Sequence, residues 1–277
     1  MSFKTILVSV DASATAARTV KAARELAERF DAHVIGLHVR PRFQSPAFTD
    51  SGFGMETLYT QHLEKVTVDA ETAAATFKNA MGTRVSEWRV IDGFIDDELA
   101  VAARYADLVV IAQADAEGSS SSMPSDLPER VALTTERPVL VVPYIGAIKA
   151  PGKTVLLCWN ASRESSRAAT AAMPFLEKAD KVVVLTIDAK ASESGHGAEP
   201  GADVAEWLSR HGAKVTVQRD TAADNDIGAT ILSRAADHGA DLIVMGIYGH
   251  SRVREFVMGG VSRTLLSSMT APLLIAH

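Results

Sequence analysis

The chain repeats itself. Ile6-Leu7-Val8-Ser9-Val10-Asp11-Ala12-Ser13 returns 149 residues later as Val155-Leu156-Leu157-Cys158-Trp159-Asn160-Ala161-Ser162. Asp107-Leu108-Val109-Val110-Ile111 returns 134 residues later as Asp241-Leu242-Ile243-Val244-Met245, and Pro138-Val139-Leu140-Val141-Val142 returns at the same spacing as Pro272-Leu273-Leu274-Ile275-Ala276. Self-similarity at a fixed offset means that one structural plan is used twice. Two domains are expected, 1–145 and 152–277. Between them Ile145-Gly146-Ala147-Ile148-Lys149-Ala150-Pro151-Gly152 interrupts both periodic patterns with glycine and proline.

Within each half, apolar runs alternate with helical patterns. Lys4 to Val10, His33 to Val39, Val85 to Ile91, Leu108 to Ala112 and Val139 to Pro143 read as strands. Ser13 to Phe30, Thr57 to Met81 and Asp97 to Tyr105 read as helices, and the order recurs from Thr154 to Ala276. Continuous Val/Ile/Leu runs between helices indicate parallel strands buried on both faces. The expected class is α/β: two tandem five-stranded parallel-sheet domains, Rossmann-like, with right-handed crossovers. The last strands, Pro138 to Pro143 and Pro272 to Ala276, are apolar and would be open edges unless paired. The halves are therefore expected to form a pseudo-dimer through these strands, and two chains to associate further as a homodimer. The extra residues of the first half, Pro41 to Met55, hold Phe43, Phe48 and Phe53 and read as a surface loop packed by its own aromatics.

Charge and cysteine content narrow the function classes. The net charge of −6 argues against general nucleic-acid or anionic-membrane binding. No apolar run reaches the length of about 18 residues that a membrane span needs. Met1-Ser2-Phe3-Lys4 enters the first strand without a signal-peptide pattern, which points to the cytoplasm. With Cys158 as its single cysteine the chain has no intrachain disulfide and no CxxC metal knuckle.

One segment carries chemistry. After its fourth strand the second half reads Met245-Gly246-Ile247-Tyr248-Gly249-His250-Ser251-Arg252-Val253-Arg254-Glu255-Phe256-Val257-Met258-Gly259-Gly260-Val261-Ser262-Arg263, a Gly-x2-Gly-x9-Gly-Gly spacing before a helical run from Ser262 to Met269. Glycines at the C-terminal end of a strand let backbone amides approach a ligand. A helix opening there offers free N–H groups and the positive end of its dipole to phosphate. Arg252 and Arg254 add positive charge.

This spacing, the opening strand followed by Asp-Ala-Ser or Asn-Ala-Ser, and the closing Pro-Leu-Leu-Ile resemble the universal stress proteins, over essentially the whole chain as a tandem two-domain member. The resemblance implies a nucleotide-binding α-hydrolase-like fold, an adenine-nucleotide site where the motif is kept, and a role in stress response or signalling. Carried onto this sequence, phosphate and ribose contacts fall on Gly246, Gly249, Gly259, Gly260, Val261 and Ser262. Asn160 stands in the place of the family's Asp, and Ile187 and Met245 at the base. The expected ligand is ATP, with Mg, in the second domain only. Two departures weaken the pattern. Asn160 is a neutral amide, and Gly260 replaces a hydroxyl residue, a hydrogen bond worth ~0.5–1.5 kcal/mol. Trp159 either stacks on a base or fills the pocket.

The first half lacks the motif. Gly246, Gly249, Gly259 and Gly260 correspond there to Ala112, Asp115, Ser125 and Asp126, and the loop from Ala112 to Pro128 carries Asp115, Glu117 and Asp126 but no Lys or Arg. Carboxylates repel a triphosphate. Asp11 is read as an N-cap or strand-end residue.

Catalytic patterns are weak. The histidines are scattered, His196 falls in a Ser/Gly-rich stretch, and Cys158 reads as a buried, inert thiol. Asp92, Asp96 and Asp97 read as helix capping and dipole compensation rather than a metal site. The expectation is no enzyme, or at most a slow ATPase. The alternative to nucleotide binding is a scaffold acting through protein contacts.

Overall fold

A computed structural model describes residues 2–44, 54–114, 124–146, 151–191, 196–222, 224, 226–247 and 260–277. The first half runs β1 (Thr5–Ser9), α1 (Ala16–Phe30), β2 (His33–Pro41), α2 (Met55–Met81), β3 (Ser86–Gly93), α3 (Ile95–Ala103), β4 (Leu108–Ala112), α4 (Leu127–Thr135) and β5 (Val139–Val142). The second runs β6 (Thr154–Cys158), α5 (Arg163–Ala171), α6 (Met173–Leu176), β7 (Lys181–Ile187), α7 (Ala202–Arg210), β8 (Val215–Asp220), α8 (Ile227–Asp237), β9 (Leu242–Gly246), α9 (Gly260–Ser268) and β10 (Leu273–Ala276).

The strands form one ten-stranded sheet in the order β3-β2-β1-β4-β5-β10-β9-β6-β7-β8. Neighbours within each half are parallel. β5 and β10 meet antiparallel, with Leu273 opposite Val141, Leu274 opposite Leu140 and Ile275 opposite Val139. The expected pseudo-dimer through the terminal strands is therefore the observed arrangement.

Side chains alternate along each strand between two apolar layers. Ile6, Val8, Val110, Leu140, Val155, Leu157, Val244 and Leu274 face the layer that also holds residues of α1, α2, α5 and α7. Leu7, Val109, Ile111, Val141, Leu156, Ile243 and Ile275 face the layer with residues of α3, α4, α8 and α9. Burial on both faces is why these strands are apolar throughout. The edge strands differ. β3 and β8 are largely half-buried or exposed and carry charged residues such as Glu87, Arg89 and Arg219, which suits open edges.

The same carboxylate anchors the start of both halves. Asp107 accepts the amides of Lys4 at 2.7 Å and Thr5 at 2.9 Å. Asp241, its counterpart, accepts those of Gly152 at 2.9 Å, Lys153 at 3.1 Å and Thr154 at 3.0 Å. Each binds the first strand of its half to the fourth.

The halves are also clamped outside the sheet. Phe3, Phe30 and Phe175 form a three-ring cluster with centroids 5.1–5.3 Å apart. Arg29 lies over Phe30 and Phe175 and donates to the carbonyls of Pro151 at 2.6 Å, Gly152 at 3.1 Å and Lys178 at 3.2 Å. Lys178 returns the contact, donating to the Arg29 carbonyl at 3.3 Å with its ammonium over Phe30. Gly152 takes a φ of +99°, and a β-carbon on it would run into Phe175, so this bend needs glycine.

Three expectations shift. α1 opens at Ala16 rather than Ser13, because Ser13 is engaged by Asp11. α4 fills a stretch for which no helix was expected; Pro128 in its first turn sets φ for a helix start. Most of the Pro41–Met55 loop, with Phe48 and Phe53, lies outside the described residues, while Phe43 packs on Tyr59 and His62 at 5.4 Å.

Because Phe175 belongs to the second half and packs on Phe3 and Phe30 of the first, Phe175→Ala is expected to cost about 3–5 kcal/mol. Both halves should still unfold in one transition. Calorimetry, compared with the fluorescence of Trp88 and of Trp159 and Trp207, checks this; separate transitions for the two halves in the unaltered protein would contradict it.

Candidate functional site

The C-terminal ends of the second half's strands form one edge, at which α5 and α9 open. Residues 159–162 turn from β6 into α5. Asn160 is exposed, and its Oδ1 accepts the Ser162 amide at 3.2 Å, leaving the side-chain NH2 as a donor. Ser162 caps α5, its hydroxyl accepting the Ser165 amide at 3.1 Å. Ile187 ends β7, half-buried against the layer shared with Met245.

Gly246 ends β9, and its place is set by helix packing. A β-carbon there would stand 2.5 Å from the Ser165 amide nitrogen and would overlap the Glu164 carbonyl group. Glycine lets the first turn of α5 sit directly on the strand end. In the aligned repeat α5 opens two positions earlier than α1. The first half has Ala112 at this position, and there α1 begins only at Ala16.

α9 opens at Gly260, which is exposed; among the described residues nothing lies within 4 Å of where its side chain would be. Val261 is half-buried and Ser262 buried. The first turn of α9 carries no acidic residue. Asn160, Ile187, Met245, Gly246, Gly260, Val261 and Ser262 thus all lie along this edge. Gly249, Gly259, Arg252 and Arg254 lie outside the described residues.

Other charges nearby are neutralised or silent. Glu164 is buried in the first turn of α5. Burial pushes its carboxyl up, but hydrogen bonds from its own backbone, Arg163 and Ser162 outweigh that and hold it below the ordinary range. Burial pushes the Cys158 thiol up to about 12, so it is no nucleophile near neutrality. Trp159 is half-buried and packs against the layer that holds residues of α5 and α7.

The first half's matching edge is chemically different. Gln113 is buried where the second half has Ile247; it donates to the Leu266 carbonyl at 2.8 Å and accepts the Tyr144 amide at 3.2 Å. It thereby ties the end of β4 to the other half. Asp11 is a strand-end residue, since Thr15 holds the N-cap place of α1; its Oδ1 accepts from the Ser13 amide at 3.2 Å and hydroxyl at 2.6 Å. His38 stands in the place of Ile187 and bonds through Nδ1 to the Val10 carbonyl at 2.8 Å. α4 opens on Asp126 with Glu129 in its first turn. Asp115 and Glu117 lie outside the described residues.

The acidic trio at the end of β3 resolves into separate roles, of which capping is not one. Asp92 pairs with Arg40 at 2.6 and 2.9 Å, Asp96 pairs with Arg130 at 3.1 Å, and the cap position of α3 is Phe94 with no side-chain bond. Asp96 and Asp97 do lie in the first turn, where they oppose the helix dipole. Among the described residues no cluster of three or more His, Cys, Asp or Glu could hold a metal ion, and no helix is long and apolar enough to cross a membrane.

The model of the universal stress protein family matches residues 2–143 and again 152–277. The chain belongs to the universal stress protein family. Its architecture is similar to that of a universal stress protein from Archaeoglobus fulgidus DSM 4304, with a TM-score of 0.71 at 16% identity, covering 98% of this chain and 95% of that one. It is also similar to a functionally unknown protein from Pseudomonas aeruginosa PAO1, with a TM-score of 0.60 at 12% identity, covering 99% and 92%. No curated protein matches the chain. At these identities the likeness concerns the fold, and it extends across both universal stress domains.

The contact at Gly246 was not legible from glycine spacing, which reports a missing side chain but not what occupies the space. Gly246→Ala is expected to destabilise the protein by about 1–3 kcal/mol through overpacking against α5. Gly260→Ala, in open space at a helix start, should change stability by less than about 0.5 kcal/mol. Denaturant midpoints of the two variants check the contrast; equal effects would contradict it.

Proposed function

We propose that the second domain binds an adenine nucleotide, ATP, at the edge where α5 and α9 open, and that the protein serves as a nucleotide-responsive module in stress signalling. The observation that carries this reading is the contrast between two equivalent helix starts. α9 opens on Gly260, exposed and without an acid in its first turn, whereas α4 opens on Asp126 and Glu129. A helix N-terminus free of carboxylates favours phosphate, and one carrying them opposes it.

The residues present fit such a ligand. Asn160 offers an amide donor at the strand end, in the range of a base or ribose. Ile187 and Met245 offer apolar surface to a base. Ser262 and the backbone amides at the start of α9 are suited to phosphate oxygens. Gly249 and Gly259 complete the glycine spacing in sequence. Binding rather than turnover is the proposed activity, and Mg would accompany the phosphates.

Calorimetric titration with ATP tests the reading. About one site per chain is expected; two equivalent sites would overturn the assignment to the second domain. Gly249→Asp copies the first half's Asp115 and places a carboxylate beside the phosphates. It should weaken ATP binding at least roughly tenfold, about 1.4 kcal/mol, and adenosine binding less. Unchanged ATP affinity in the folded variant, or no binding by the unaltered chain, would favour the scaffold reading.

A further inference from the structure

Glu129 is an anomaly in this fold. It lies in the first turn of α4, 1% exposed, and neither of its carboxylate oxygens has a hydrogen-bond partner among the described residues. Buried carboxylates are ordinarily paired or hydrogen-bonded, because removing a charge from water without compensation is costly. The neighbouring cation does not serve it: Arg130 turns to Asp96 of α3 at 3.1 Å and Asp126 at 3.6 Å.

Its position gives this meaning. α4 packs on α3, on β5 and across the junction on β10 of the second half. The two strands, Val139–Val142 and Leu273–Ala276, offer no charged or polar side chain. α3 carries Asp96, Asp97 and Glu98, all of the same sign as an ionised Glu129. From α4 itself Asp126 repels it, and from α9 Arg263 attracts it. Arg263 is also the residue 134 positions later, so the two copies of one place in the repeat have become Glu and Arg.

We propose that Glu129 is a proton-operated switch on the junction between the two domains: protonated, it lets α4 seat against β10, and ionised, it loosens that seat. The step is a single proton exchanged between the carboxyl and solvent. Burial first, and then Asp126, push the group up to about 7, against the pull of Arg263. The sign follows from linkage. Below the ordinary carboxyl value of 4.5 the group is protonated in both folded and unfolded chains, and its cost is absent. Between 4.5 and about 7 the unfolded chain ionises and the folded one does not, so stability falls as pH rises. Above that window the full penalty is present. A drop in pH near neutrality would therefore tighten the junction. This inference concerns the junction and does not depend on nucleotide binding.

Urea denaturation of the full chain at pH 5, 6, 7 and 8, compared with Glu129→Gln, tests it. The folding constant of the unaltered protein relative to the variant should fall with pH by up to roughly tenfold per unit within the window. Parallel pH curves would overturn the proposal. Hydrogen exchange of the unaltered protein, which does not rely on the variant folding, should show protection of α4 and β10 falling between pH 5 and 7 after correction for intrinsic rates, by more than that of β1 and β2. A uniform change would overturn it. Arg263→Gln removes the attraction and should move the transition to higher pH; an unmoved midpoint or a lower one would contradict the assignment.

Discussion

Everything in this molecule is arranged around the antiparallel meeting of β5 and β10. Leu140 lies opposite Leu274, and these two are copies of each other in the repeat, so a pseudo-twofold axis passes through that pair. Val139 opposite Ile275 and Val141 opposite Leu273 complete the exchange, as a twofold requires. A parallel sheet whose last strand is apolar has an edge that must be covered. Joining two such edges covers both and makes each half the other's partner. The reciprocal bonds of Arg29 and Lys178, also repeat copies, show the same symmetry in side chains, each donating to the other's carbonyl.

Tandem linkage lifts a restriction that symmetry imposes. In a dimer of identical chains, any residue near the axis faces its own type, and a charge there would face a like charge. Here the two copies can differ. Position 129 is Glu and its copy at 263 is Arg; position 113 is Gln and its copy at 247 is Ile. Gln113 uses that freedom to bond across the junction to Leu266. The asymmetry at the strand edge follows the same logic. The first half holds its place in the sheet without those glycines, because its stability rests on the two apolar layers and not on the loops at the strand ends.

Fold and junction were readable because both depend on patterns that recur. Strands buried on both faces read as unbroken apolar runs, and β5 and β10 revealed themselves as edges in need of partners. The first-half α4 was missed because its short stretch, Leu127 to Thr135, contains Pro128 and a pair of threonines and follows a loop rich in Ser. The site was less legible. Trp159 stood open between two roles, and alternation along the strand, with Cys158 against one layer and Trp159 against the other, gives only the layer on which it packs. Burial of Glu129 leaves no trace in composition, since Glu in a first helical turn is ordinary. Its repeat copy being Arg was the one available signal.

Gly246 shows why a glycine pattern alone underdetermines a site. At this position the missing side chain makes room for the backbone of Glu164 and Ser165, so the residue would have to be glycine even if no ligand ever approached. Yet the same contact brings the first turn of α5, with its positive end, onto the end of β9. Structural necessity and ligand chemistry are not rivals here. The close packing is what places a second helix N-terminus at the edge where α9 also opens. Gly260 is the complementary case. Among the described residues nothing packs against it, so none of them requires its lack of a side chain. An exposed helix start that is free of both packing and acidic side chains is the feature of this edge that folding by itself does not explain.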